Sequence, residues 1–178
     1  PEAAGYLSMV VKEINALDAR SALDEASDPS TDAARLAELA DDPVQSILRS
    51  KVAGNPSTPA EVLTRLAGDP ESSVRDEVAK NPSTPVEILA GLSGTEVMKN
   101  PTVKALEEEA KESTDEARLS ELASSPLWLV RRDVAGNPST PVEVLTQLAD
   151  DPEELVRKYV AANPSTPVEV LMRLADDA

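Results

Sequence analysis

The sequence predicts an all-α solenoid of short helix pairs, on three observations. A twenty-six-residue unit recurs, written most fully as NPSTPVEVLTQLADDPEELVRKYVAA from Asn137 to Ala162. It restarts at Asn163 and appears earlier from Asn55 and from Asn81. Repetition at such a period marks a stacked repeat protein, because one unit cannot bury its own apolar face. The core is also written in small aliphatic residues: the chain has 40% hydrophobic residues but no Phe, two Tyr and one Trp. Finally, most of the fifteen prolines stand where a helix would begin rather than inside one.

Within the unit, proline pushes the preceding Asn137 out of the helical region. Thr140-Pro141-Val142-Glu143 then reads as a capping box, with threonine accepting from an unpaired amide and glutamate reaching back. Val142, Leu145, Leu148 and Ala149 share one helical face. Asp151-Pro152-Glu153-Glu154 repeats the device and opens a second helix, with Leu155, Val156, Tyr159 and Val160 as its apolar stripe. Helices of about ten residues are marginal alone in water, so neighbouring units must supply the burial.

In chain order, residues 1–19 predict an N-terminal capping helix. Its stripe is Leu7, Val10, Val11, Ile14 and Leu17, extended by Ala22, Leu23 and Ala26, with a break expected near Asp18. A half-unit follows, DPSTD from Asp28 in place of NPSTP, then units at Asn55 and Asn81. After Leu92-Ser93-Gly94 the second helix of a unit is missing. Ala105 to Pro126 then parallels Ala22 to Pro43 at an offset of 83, and from Asn137 the offset against Asn55 is 82. The chain therefore divides into a first module at 20–94, a joint at 95–101 and a duplicate module at 102–178. It stops partway into a unit, as a fragment of something longer would.

Equivalent positions line up as columns. Arg49, Arg75, Arg131 and Arg157 look in isolation like a phosphate-binding stripe, but Asp42, Asp69 and Asp151 lead the same helices and predict a ladder of charge pairs. The adjoining columns, Ser50, Asp76, Arg132, Lys158 and Lys51, Glu77, Asp133, Tyr159, are not uniformly basic, and stacking aromatics are lacking. Asn55, Asn81, Asn137 and Asn163 are expected to bond backbone groups of the adjacent turn. Glu61, Glu87, Glu143 and Glu169 are expected to cap helices. The pairs Asp41-Asp42, Asp150-Asp151 and Asp176-Asp177 lack the spacing and glycine of a calcium loop.

One departure stands out: Leu127-Trp128-Leu129 replaces mostly polar residues such as Glu71-Ser72-Ser73. Two explanations remain open. Leu127 and Trp128 pack on the joint near Val97, Met98, Val103 or Leu106, or they contact a partner, since tryptophan is enriched in binding hot spots.

The string LAxDPxxxVRxxVAxNPxTPxxxL, at Leu66–Leu89 and Leu148–Leu171, resembles the leucine-rich-repeat variant proteins of bacteria. The resemblance implies a right-handed superhelix of alternating short helices and a role as a binding scaffold. The DPxxxVR portion also resembles HEAT repeats, where Asp and Arg form ladders between units. The founding, nitrogen-fixation-associated member of the family carries a cysteine cluster for an iron–sulfur centre. This chain has no cysteine, so no cofactor is carried over.

With no His, no Cys, no phosphate-cradling glycine loop and no GxSxG, an enzyme is not expected, nor a metal. No apolar run reaches membrane-spanning length, and no signal peptide is recognisable, which predicts a cytoplasmic chain or the cytoplasmic part of a larger protein. A net charge of −16 opposes binding to nucleic acid or anionic membranes and favours a basic or mixed-charge protein segment. The expected function is thus a protein–protein interaction scaffold. Nucleic-acid recognition by the arginine column is the alternative, and self-association through Leu127 and Trp128 is a further option for the partner.

Overall fold

A computed structural model describes residues 2–43 and 45–176. Among these there are thirteen α-helices and no strand, and the helices pack on near neighbours in the series, as a helical-repeat solenoid requires. The chain forms two compact units, Pro1–Ile88 and Leu89–Ala178.

The first unit opens with α1 (Glu2–Ser27), one unbroken helix. The expected break at Asp18 does not occur: no proline or glycine lies between Tyr6 and Ser27, and Ala, Leu, Glu and Arg sustain the helix. The side chains of Leu7, Val11 and Ile14, on the expected stripe, lie outside the described residues; Leu17 is exposed, and burial begins in earnest at Ala26. Then come α2 (Ala33–Leu39), α3 (Ser46–Gly54), α4 (Ala60–Leu66), α5 (Ser72–Lys80) and α6 (Val86–Gly91), whose middle is the unit boundary. The longer helices stack directly, α1 on α3 and α3 on α5. Their inward residues Leu48, Val52, Val74 and Val78 are buried with Leu36, Leu63 and Leu66 from the shorter row. Burying each such side chain is worth about 1.5–3 kcal/mol, which is what holds helices too short to persist alone.

In the second unit Gly94, with φ 122°, turns the chain into α7 (Thr95–Lys99), in a region of backbone space open to glycine. Asn100 caps α8 (Pro101–Glu112) by accepting from Thr102 N–H at 2.9 Å. There follow α9 (Glu116–Leu122), α10 (Trp128–Gly136), α11 (Val142–Leu148), α12 (Glu154–Ala162) and α13 (Val168–Asp176). Here α8 packs on α10 and α10 on α12. Val103, Val130, Val134, Leu145, Val156 and Val160 are fully buried. Val142, Leu155 and Tyr159, expected on the apolar stripes, are instead close to half exposed, so the first stripe is one residue and the second two residues narrower than the spacing suggests.

The expected capping boxes do not form. Pro141 has φ −58° and ψ 147°, so α11 begins after it and receives no side-chain cap. Thr140 acts in the opposite sense: its hydroxyl donates to Val134 O at 2.6 Å, closing off the end of the preceding helix. Thr58, Thr84 and Thr166 do the same at 2.5–2.6 Å. Proline removes an amide from the turn and holds it extended, so the nearest unpaired group to the threonine is a carbonyl. Glu61, Glu87, Glu143 and Glu169 stay exposed in the first turns, where their charge complements the positive end of the helix dipole without capping it. True aspartate caps occur where the second proline is missing: Asp32 accepts from Arg35 N–H, and Asp115 from Ala117 and Arg118 N–H.

Candidate functional site

Both in-register polar columns turn inward. Arg49 Nε and Nη2 donate to the two oxygens of Asp69 at 2.6 and 3.1 Å, and Nη1 donates to Asp42 O at 2.8 Å. Arg131 does the same with Asp151, at 2.7 and 3.0 Å, and with Ser125 O at 2.9 Å. The side chains of the first pair are 11% and 5% exposed. Each arginine thus ties the start of its own helix to the aspartate twenty residues on, a two-pronged geometry that lysine cannot reproduce. Arg75 and Arg157 make the carbonyl half of the arrangement, to Asp69 O and Asp151 O.

Asp69 and Asp151 are not helix caps as read from the sequence. Each accepts the N–H two residues on, from Glu71 or Glu153, at 2.9 Å. The hydrogen bonds from Arg49 hold Asp69 below the ordinary aspartate range against the upward push of burial. For Asp151 burial is the larger single influence and acts upward, but the Arg131 fork, the Glu153 amide and the charges of Arg131 and Arg157 outweigh it. The Asp176-Asp177 pair falls partly outside the described residues.

The asparagine column stitches turn to turn. Asn81 Nδ2 donates to Ala53 O and Asn55 O at 2.7 and 2.8 Å, and Asn163 to Ala135 O and Asn137 O at the same distances. Asn55 reaches Ala26 O and Asp28 O, and Asn137 reaches Ala110 O and Ser113 O. Within each of the four, Oδ1 accepts the N–H two residues later. All four asparagines are buried, so the column holds the stack and offers no donor outward.

Leu127 and Trp128 part company. Leu127 is 2% exposed at the start of α10, which packs on α8, whereas Trp128 is half-buried and lies beneath a cation. Arg132 sits 5.5 Å from the Trp128 ring centroid and 5.9 Å from that of Tyr159. Its guanidinium is held by Glu107 at 2.8 Å and by Asp133 Oδ1 at 2.8 Å. Burial works to lower Arg132, but Asp133 and Glu107 outweigh it and keep the group above its ordinary value. Beside this cluster lies a groove of about 480 Å³ lined by Lys111, Arg132, Asp133, Asn137 and Tyr159, with Gly136 in its wall.

The sequence did not single out this groove. Arg132, Asp133 and Tyr159 stand in columns whose mixed chemistry argues against a basic stripe, and nothing in their spacing brings them together. Among the described residues no cluster of His, Cys, Asp or Glu is placed to hold a metal, and no helix is long and apolar enough to cross a membrane.

The fold and its internal columns define a helical-repeat scaffold. Residues 20–75 match the leucine rich repeat variant domain, and residues 128–153 and 154–178 each match the leucine rich repeat variant model. The chain carries leucine-rich-repeat variant repeats in both of its units. No curated protein and no solved structure matches it.

Proposed function

We propose that the chain is a non-enzymatic protein–protein interaction scaffold whose acidic repeat surface receives a basic or mixed-charge segment of a partner, in the cytoplasm or on the cytoplasmic part of a larger protein. The observation that carries this reading is the internal use of the arginine column. Arg49 and Arg131 are committed to two-pronged pairs with Asp69 and Asp151, so they do not form an open phosphate-binding stripe. This weighs against nucleic-acid binding through Arg49, Arg75, Arg131 and Arg157. The net charge of −16 adds a field that attracts cationic partners and speeds their encounter. A stack of short helices stapled at every turn by Asn, Thr and Arg loses little entropy on binding, which suits many modest contacts on a preformed surface.

The test is affinity capture from a cell lysate with and without nuclease, read by mass spectrometry and repeated with the purified protein recovered. The expected result is a protein captured equally in both arms and rebound by the purified chain. Recovery of an untagged copy of the chain itself would identify self-association. Capture that disappears with nuclease would overturn the scaffold reading in favour of nucleic acid.

A further inference from the structure

The repeat that begins at Asn81 is seven residues short. Asn81 to Asn100 is a step of nineteen, where Asn55 to Asn81 and Asn137 to Asn163 are steps of twenty-six. Leu89-Ala90-Gly91-Leu92-Ser93-Gly94 parallels Leu63-Thr64-Arg65-Leu66-Ala67-Gly68, and Thr95-Glu96-Val97-Met98-Lys99-Asn100 parallels Asp76-Glu77-Val78-Ala79-Lys80-Asn81. Between those blocks the counterpart of Asp69 to Arg75, DPESSVR, is missing. The paired positions also behave alike. Val97 is buried as Val78 is, and buried Asn100 accepts Thr102 N–H at 2.9 Å as Asn81 accepts Ser83 N–H.

The deletion removes one rung of the arginine ladder. The fork of Arg49 takes Asp69 and that of Arg131 takes Asp151, each aspartate standing at the Asp-Pro of the following repeat. Register sets Asp177 against Arg157, outside the described residues. For Arg75 the Asp-Pro of the following repeat is the part that is absent. Yet Arg75 is held as the others are. Its Nη1 donates to Asp69 O at 2.6 Å and Pro70 O at 2.9 Å, as Arg131 Nη1 does to Ser125 O and Pro126 O. Nε and Nη2 have no acceptor among the described residues, and the residue is partly exposed. A guanidinium is planar, so anchoring one nitrogen leaves the other two as a fixed pair of donors matched to a carboxylate.

We propose that Arg75 is a docking fork for a carboxylate of a partner protein, which takes the place of the deleted aspartate. The chain itself shows what the fork holds. At Arg49 and Arg131 it is an aspartate followed by proline, whose carboxylate also accepts the N–H two residues on. The partner segment is therefore a turn of the Asp-Pro type. This rests on the scaffold reading and selects a mixed-charge segment: its aspartate enters the fork while its cations meet the acidic surface. A phosphate offers the same acceptors, but a polyanion is repelled by a chain of net charge −16.

The test uses the whole isotope-labelled chain, read by NMR at the arginine Nε–H signals, with that of Arg75 assigned through its own backbone. The probes are a blocked peptide Lys-Ala-Asp-Pro-Ala-Lys, the same peptide with Asn for Asp, inorganic phosphate and a single-stranded oligonucleotide, at constant ionic strength. The Asp peptide is expected to move the Arg75 signal saturably and to leave those of Arg49 and Arg131 in place. The Asn peptide is more cationic yet should bind at least about ten-fold more weakly, because it lacks the second acceptor. Arg75→Lys keeps the charge and loses the fork, and should weaken the Asp peptide about ten-fold or more, read by anisotropy of a label on the peptide. Lys51→Gln, which removes a charge from an exposed position on α3, should stay within about two-fold. Should Arg75→Lys lose its fold by circular dichroism, the comparison of Asp and Asn peptides on the unaltered chain decides. Equal or tighter binding of the Asn peptide, or undiminished binding by a folded Arg75→Lys, would mean diffuse attraction to an acidic surface. Either result overturns the fork and leaves the scaffold reading standing. An Arg75 signal that answers phosphate or the oligonucleotide in preference, or none of the probes, overturns the fork as well. The scaffold reading itself falls only with nuclease-sensitive capture.

Discussion

Replacing Asn137 with alanine removes a buried amide that serves four backbone groups. Its Nδ2 donates to Ala110 O, Lys111 O and Ser113 O at 2.8, 3.1 and 2.9 Å, and Oδ1 accepts from Ser139 N–H at 2.8 Å. Two N–H groups shared among three carbonyls amount to about two full bonds, and the turn bond makes a third. At about 1 kcal/mol each, with a further ~1 kcal/mol for carbonyls left unpaired in the interior, the loss is about 3–4 kcal/mol. For a unit of about 90 residues the urea dependence is about 1–1.5 kcal/mol per molar, so the midpoint should fall by roughly 2–4 M. Trp128 lies in the same unit and reports the transition by fluorescence. Asn137→Asp should do no better than alanine: it keeps Oδ1 but turns a second acceptor towards carbonyl oxygens. A midpoint shift under about 0.5 M for the alanine variant would refute the reasoning, showing that these carbonyls are satisfied without the asparagine.

Three further outcomes follow from the same geometry. Thr140→Val, which deletes the donor to Val134 O, should cost about 1–2 kcal/mol in chemical denaturation, whereas Glu143→Ala should change stability by less than about 0.5 kcal/mol; a capping box would demand a large effect from the glutamate instead. Asp69 and Asp151 have depressed folded values, so their stabilisation is complete above the ordinary aspartate range and is lost as pH falls below about 4 through the depressed values. Thermal melts should therefore hold steady from pH 7 to 5 and drop steeply below 4, with Asp69→Asn flattening the drop; an unchanged acid slope in that variant would remove Asp69 from the account. Gly54→Ala should stabilise by about 0.5–1 kcal/mol, because the helix gains an alanine and the flexible Glu77 carboxylate can move aside. Gly136→Ala should lose that gain to the displaced Tyr159 ring, and equal gains at both sites would show that the ring yields freely.

Spacing along the chain was enough to place the repeat's helices and turns, because a helix decides locally which residues share a face, but it drew the buried rows too wide at Leu17, Val142, Leu155 and Tyr159. The 26-residue recurrence carried the repeat architecture, and Asp69 and Asp151, in register with the arginines, signalled the ladder that Arg49 and Arg131 complete. The asparagine column was legible for the same reason: one polar residue at every turn of a stack has only backbone within reach.

Tertiary structure decided what each polar group is paired with. Thr140 reads as an acceptor within its own turn and is a donor to a carbonyl six residues back, because extended Pro141 delays the helix. Leu127 reads as a solvent position and is buried at the start of α10. The cluster of Arg132, Glu107, Trp128 and Tyr159 draws on residues up to 52 positions apart, Glu107 to Tyr159. By itself the sequence determined the repeat, its helices and its in-register columns; the groove beside Asp133 exists only because stacked units bring α8, α10 and α12 together, and no periodicity within one helix encodes a contact made across three.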